Sequence, residues 1–447
     1  MKFLLIGLGH CGGKIADDFV RYSGHRSRVS VSACAINTDL ADLVVHRRIP
    51  ADNRLCVGSR RGAAKDWERG RGAAAESRST IARLIERLLT PDTDVVMLTL
   101  GEGGGTGSGM APVVAEIIGE LGAECMALTT LPFDDESVKV KVNAAKGLDL
   151  LYRQDPLKSL ICIDNEKITA RFPERGIIEA YRAVNEETVH TFLDIVRFAH
   201  APSKGDRIDE SEIITVLGYE GFATLCNLRV RASEFSDLSG TVLDSWARGL
   251  FAEVDVESAT GGIVGLRGPA HLFTTVKVDG VRGSLRESMS GKDIMLGVYR
   301  SKRSPWLAVT GILAGMDVPS KIRGLLDLAK REYLEHAEVM AERRELKRRG
   351  LGFDLGASLH KKEPIPRDPQ PLSLGEAVGA PRYEEVRDLV LRFIKAQRVK
   401  RLALEELVVA IKAELGIPDE DLIHQTLEDL KYLGYLMEPE RGYLQAL

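Results

Sequence analysis

Short apolar runs alternate with longer stretches of helical periodicity from the first residue to about residue 165. The runs Lys2–Gly7, Val29–Asn37, Asp94–Leu100, Glu124–Thr130 and Ser159–Asp164 predict strands, since continuous apolar character suits a strand covered on both faces. Gly13–Tyr22, Gly72–Leu89, Met110–Leu121 and Val138–Leu150 carry apolar residues at helical spacing. Such alternation predicts an α/β fold: a doubly wound parallel sheet with ligands at the carboxyl ends of its strands.

Beyond this a long helical pattern runs from about Ile177 to His200, with apolar residues at Ile178, Tyr181, Val184, Val189, Phe192, Leu193 and Val196. From Ile213 to Tyr333 strand patterns return at His271–Val278, Asp293–Tyr299 and Trp306–Ala314, with helices at Gly240–Leu250 and Ser320–Tyr333. They read as a second α/β domain. A charged stretch at Glu338–Arg349 leads into a linker holding Pro364, Pro366, Pro369, Pro371 and Pro381. Helical patterns at Tyr383–Ala396, Ala403–Leu415 and Asp419–Leu433, then a hairpin around Gly434 and Gly442, resemble a winged-helix unit. The expected divisions are therefore 1–175, the central helix 176–200, the second domain 201–335, the linker 336–381 and the terminal unit 382–447.

Composition narrows the function. The 447 residues are too many for one core, which agrees with several domains. The 61 basic and 65 acidic residues leave a net charge of −4, so nothing favours bulk nucleic-acid binding. The last two helices of the terminal unit are acidic (Glu405, Glu406, Glu414, Asp419, Glu420, Asp421, Glu428 and Asp429), which suits a protein partner better than DNA. Six scattered cysteines make neither a disulfide framework nor a zinc site. No apolar run reaches the roughly 20 residues of a membrane span, and the expected location is the cytoplasm.

Two glycine clusters fall at predicted strand ends. Gly7-Leu8-Gly9-His10-Cys11-Gly12 matches G-x-G-x-x-G, which alone suggests a dinucleotide, with Asp39 as a ribose-binding carboxylate. The physics asks only that bare backbone N–H groups approach an anion at a helix N-terminus, whichever nucleotide carries it. Gly101-Glu102-Gly103-Gly104-Gly105-Thr106-Gly107-Ser108-Gly109 joins the strand Asp94–Leu100 to the helix Met110–Leu121. It offers backbone donors and two hydroxyls, and no lysine follows it as in a Walker loop. A dinucleotide enzyme has no use for this second phosphate loop.

Gly103-Gly104-Gly105-Thr106-Gly107-Ser108-Gly109 resembles the signature of the tubulin/FtsZ superfamily, in the form with Ser108 that tubulins favour. Gly9-His10-Cys11-Gly12-Gly13-Lys14-Ile15 is similar to that family's first loop, with His10 in place of glutamine. Ala35-Ile36-Asn37-Thr38-Asp39 looks like its second loop, Gly58 to Glu76 loosely like its third, and Leu131-Pro132-Phe133-Asp134-Asp135-Glu136 like its Pro-Phe-x-x-Glu loop. The resemblance covers roughly residues 1–335.

It implies a GTP-binding protein that assembles head to tail into protofilaments and hydrolyses GTP at subunit junctions. The implied nucleotide contacts are Gly9, His10, Cys11, Gly12, Asn37, Asp39, Gly103, Gly104, Gly105, Thr106, Gly107, Ser108, Pro132 and Glu136. Asn165 belongs with them, as do Tyr181, stacked on guanine, and Asn185, paired with its edge. Gly205 to Ile213 resembles the loop that enters the next subunit's pocket, with Asp209 and Glu212 as its catalytic carboxylates. GTP or GDP is the implied cofactor, with Mg2+ held by the phosphates rather than by named residues. Two departures, Arg207 for the loop's asparagine and Val140 where bacterial division proteins carry arginine, point to slow hydrolysis, with Lys139 and Lys141 as partial substitutes. The alternatives are a non-hydrolysing GTP-bound scaffold and, behind it, an NAD-dependent enzyme. The partners implied are other copies of the chain, and a protein or membrane adaptor through the terminal unit.

Overall fold

The computed structural model describes residues 1–23, 29–201, 207–233, 237–246, 249–289, 292–301 and 304–349. Of the remainder it describes 402–403, 408–409, 411–412, 423–424, 427, 436–440 and 443–446. The chain divides into two compact units, Met1–Phe353 and Asp354–Leu447.

One ten-stranded sheet runs through the first unit in the order β3-β2-β1-β4-β5-β6-β7-β10-β8-β9. The strands are β1 (Lys2–Leu8), β2 (Ser30–Asn37), β3 (Arg54–Cys56), β4 (Val95–Gly101), β5 (Cys125–Leu131), β6 (Leu157–Asp164), β7 (Gly221–Arg231), β8 (Gly261–Gly268), β9 (Asp293–Arg300) and β10 (Trp306–Met316). Strands β1 to β7 pair in parallel. β10 pairs antiparallel with both β7 and β8, and β8 pairs parallel with β9. The second half of the sheet therefore continues the first without a break.

Twelve α-helices complete the first unit among its described residues: α1 (Gly9–Tyr22), α2 (Leu40–Val44), α3 (Trp67–Glu76), α4 (Arg78–Leu88), α5 (Thr106–Glu120), α6 (Val138–Tyr152), α7 (Glu166–Arg171), α8 (Ile177–Phe198), α9 (Glu210–Leu217), α10 (Leu238–Asp244), α11 (Thr275–Ser288) and α12 (Ser320–Arg349). They form two layers. Leu4, Ile6 and Leu8 of β1 face a core shared with α3–α6 and α10–α12. Phe3 and Leu5 face the other, shared with α1, α2 and α7–α9. This period of two, buried on both sides, is why the strand reads as one continuous apolar run. Phe192 of α8 anchors the second core, meeting Phe3 and Phe19 edge-on with ring centroids 5.6 and 5.8 Å away.

The expected parallel sheet and second α/β half are both present, with local corrections. Gly72–Leu89 is two helices, divided at Ser77. The helix expected at Gly240–Leu250 is the shorter α10, Leu238–Asp244. The strand expected at His271–Val278 is a 3-10 turn at Ala270–Leu272 followed by α11. Its β-branched residues suggest a strand, but Thr274 accepts from the Lys277 N–H as an N-cap and commits the chain to a helix. β7 and β8 were not predicted. In β8, Gly261, Gly262, Gly265 and Gly268 break the apolar run, and Gly265 yields its side-chain space to the Phe198 ring.

In the second unit Leu402–Ala403, Leu436–Glu440 and Tyr443–Ala446 form a three-stranded antiparallel sheet with the last strand in the middle. The expected hairpin is thus present. The winged-helix reading otherwise lies outside the described residues, including all of Tyr383–Ala396 and most of the two helices after it.

A Cβ on Gly265 would lie 2.2 Å from Cε2 of Phe198. Gly265→Ala is expected to destabilise the first unit by about 1–3 kcal/mol through overpacking, read as a lowered urea midpoint.

Candidate nucleotide site

Four loops meet at the carboxyl ends of β1, β2, β4 and β5 around a cleft of about 430 Å3. β1 turns directly into α1 at Gly9, whose φ of +70° is open to glycine at little cost. α1 then packs on β4 through Gly12, whose carbonyl accepts the Thr99 hydroxyl at 2.8 Å. After β4 the chain passes Gly103 at φ +85° and enters α5 at Thr106. The N-terminal turn of α5 thus opens into the cleft with free backbone N–H groups and the positive end of its dipole. Thr38 and Thr106 join the loop after β2 to the loop after β4 through hydroxyls 2.7 Å apart.

Gly9, His10, Cys11, Asn37, Gly103, Gly104, Gly105, Thr106, Gly107, Glu136, Asn165, Tyr181 and Asn185 all line this cleft. Four other expected contacts do not. Gly12 is spent on packing against β4. Asp39 caps α2, accepting from the Ala41 N–H at 2.8 Å. Ser108 is buried, and Pro132 is buried behind Gly103. Tyr181 stands half-exposed at the cleft with its ring 6.4 Å from that of Phe133. Ile178, an apolar position of the predicted helical pattern, is exposed, as is Ile177 beside it in the first turn of α8.

The cleft also holds residues that sequence reasoning missed, among them Lys14, Asp42, Lys65, Glu102 and Thr130. Asp42 receives His10 Nδ1 at 2.8 Å and the Asn37 amide at 3.2 Å. Thr130 was legible as the last residue of a predicted strand, where ligands gather. Lys65 lay inside the loosely matched third loop. The two lysines expected to stand in for an arginine at Val140 do not line the cleft. Val140 packs under Gly103, and Lys141 is buried in an ion pair with Glu332 of α12 at 2.9 Å.

Glu102 is the chemical oddity of the loop. Burial pushes its carboxyl from the ordinary 4.5 up to about 8, against a smaller lowering by Ser108. Ser108 Oγ lies 2.5 Å from Glu102 Oε2 and 3.0 Å from the Asn143 carbonyl. A hydroxyl has one proton to give, so a neutral Glu102 supplies the second. The phosphate loop therefore carries no negative charge of its own at neutral pH.

Asp209 and Glu212 sit far from this cleft. They form a capping box at the start of α9: Asp209 Oδ1 accepts the Glu212 N–H at 2.9 Å and Glu212 Oε2 accepts the Asp209 N–H at 2.8 Å. The Ser211 hydroxyl and the Glu212 N–H hold the exposed Asp209 carboxylate below its usual range. The neighbouring Glu210 contacts the amino group of Met1 at 2.6 Å, which places α9 at the beginning of β1. The glycine loops are at its end, seven residues away, or about 20 Å at roughly 3.3 Å per residue. Arg207 donates to the Ala199 carbonyl, closing the C-terminal end of α8.

Residues 2–172 match the GTPase domain of the tubulin/FtsZ family. A tubulin-like protein CetZ of Pyrococcus horikoshii is 31% identical over 360 residues, spanning 78% of this chain and 95% of that one. The GDP-bound monomer of CetZ1 from Haloferax volcanii superposes with a TM-score of 0.63 at 26% identity, over 74% of this chain and 99% of its own. CetZ2 of the same organism, solved as a GTPγS-bound protofilament, gives a TM-score of 0.65 at 23% identity, over 76% and 100%, and bears on the fold alone. The chain belongs to the tubulin/FtsZ family of GTPases. Within it, the similarity reaches the tubulin-like CetZ proteins over most of the chain.

With a raised carboxyl pKa the folded protein keeps a proton that the unfolded chain releases, so Glu102 costs stability as pH rises from about 4.5 to about 8. Glu102→Gln keeps the shape and removes this exchange. Its melting temperature is expected to gain on the parent's across that window; a pH-independent difference would show an ordinary carboxylate.

Proposed function

We propose that this chain binds GTP in the glycine-loop cleft, polymerises head to tail, and hydrolyses the nucleotide where one subunit meets the next. The reading is carried by the separation of two half-sites: the phosphate cradle lies at one end of β1 and the Asp209–Glu212 pair at the other. Neither completes the other within one chain. Head-to-tail stacking along β1 brings them together, and a heterologous contact of this kind propagates as a filament.

In this mechanism the N–H groups of Gly103 to Gly107 and the first turn of α5 hold the phosphates. Tyr181, backed by Phe133, stacks on the base, and Asn165 and Asn185 read its edge. The incoming Asp209 and Glu212 of the next subunit accept hydrogen bonds from a water and aim it in line at the terminal phosphate. Asp209, held below the usual carboxylate range by the Ser211 hydroxyl and the Glu212 N–H, is suited to accept rather than donate. A magnesium ion would neutralise phosphate charge; Asp42 and Glu136 are hard oxygen donors at the cleft that fit it.

Residues 1–175 serve as the nucleotide domain, 176–200 as the connecting helix, 201–335 as the activating half and 382–447 as an adaptor unit for a protein or membrane partner, all in the cytoplasm. Among the described residues no helix is long and apolar enough to cross a membrane. A second reading, a GTP-bound scaffold with little turnover, draws on two observations. Arg207 is spent on the Ala199 carbonyl, and Val140 leaves α6 without a cation at the glycine loop.

Asp209→Asn separates the two. Asparagine still caps α9, so fold and GTP binding are expected to survive while phosphate release falls about 10²- to 10⁴-fold. Equal turnover in parent and variant would remove Asp209 from the chemistry; filaments without turnover in the parent would establish the scaffold.

A further inference from the structure

The glycine loop has no cation of its own, and α6 offers it none. Lys141 is engaged with Glu332, and Val140 fills the space beneath Gly103. The cation nearest in kind to a Walker lysine comes instead from the third loop. Lys65 lines the cleft with its Nζ 3.7 Å from Glu136 Oε2.

The backbone is built to present this side chain. Ala64 and Lys65 are consecutive non-glycine residues at φ +52° and +54°, a conformation L residues avoid unless their surroundings impose it. Asn143 of α6 is hydrogen-bonded to this segment. Its side-chain amide donates to the Lys65 carbonyl at 3.0 Å and to the Gly103 carbonyl at 3.2 Å. One amide group thus ties the third loop to the phosphate loop and fixes the root of Lys65 beside Gly103. The root is held while the tip is free to move: at 3.7 Å and well exposed, the pair with Glu136 is long and water-screened. The cleft's other lysine, Lys14, belongs to α1 beside the first glycine loop.

We propose that Lys65 determines the preference for triphosphate over diphosphate: its ammonium leaves Glu136 for the terminal phosphate and has no such partner when that phosphate is gone. The proposal rests on the reading that the cleft holds a guanine nucleotide. It makes Glu136 the resting partner of Lys65 in the empty and diphosphate states. Because Lys65 and Gly103 share the Asn143 amide, engagement of the terminal phosphate reaches the third loop directly.

The test is the affinity of the full-length chain for GTPγS and for GDP, by calorimetry at one salt and magnesium concentration. Lys65→Met keeps the stem and removes the charge. It is expected to weaken GTPγS by about ten- to a hundredfold, the effect of losing a charge-assisted phosphate contact, and GDP by less than about threefold. Lys65→Arg is expected to keep the preference. Equal weakening of both nucleotides by Lys65→Met, or unchanged GTPγS binding, overturns the proposal while leaving the GTP reading intact. A parent chain that binds neither nucleotide overturns both.

Discussion

At the carboxyl ends of β1 and β4 the main chain approaches itself more closely than side chains would permit. A Cβ on Gly12 would lie 1.9 Å from the Thr99 carbonyl oxygen, and one on Gly70 at the same distance from that of Gly105. The first pins α1 to β4 and the second pins α3 to the phosphate loop. With Thr38 bonded to Thr106 and Asn143 bridging Lys65 and Gly103, the loops hold one another in place. Donors fixed in this way need not reorganise when an anion arrives, which is what makes a backbone cradle effective. The arrangement is spent on geometry rather than charge, and a neutral Glu102 at its base keeps the cradle from repelling what it binds.

The continuous sheet turns this local constraint into a property of the whole first unit. Two cores, one on each face, run from β1 across to β8 and β10, so the phosphate cradle and the capped start of α9 belong to the same packed body. The capping box of α9 has a double consequence. It satisfies the helix terminus with Asp209 and Glu212, and it also holds the exposed Asp209 carboxylate below its usual range, at the opposite end of β1 from the cleft. A pair built only for capping would do the first; placement at the far end of β1 gives meaning to the second.

Much of the nucleotide half was legible because its strands are buried on both faces and its glycines cluster where strands end. The strands β1, β2, β4, β5 and β6 were read almost to the residue, and the cleft gathers most of the expected contacts. The failures have physical causes. β8 was hidden by glycines that make room for Phe198. α11 was hidden because the β-branched run after Phe273 is overruled by the Thr274 cap. Gly12 and Ser108 belong to the motifs yet serve packing, since spacing cannot tell a glycine that approaches a ligand from one that approaches a strand. Lys65 and Asp42 escaped because nothing local marks them: their place at the cleft comes from loops brought together by the fold.

The central claim is that a complete site exists only between subunits. GTP turnover per chain, measured as phosphate release over a wide range of protein concentration with sedimentation in parallel, tests it most directly. The account predicts turnover per chain that climbs with concentration and levels off once the protein sediments. Turnover that is the same at every concentration would place the catalytic groups within one chain and contradict it.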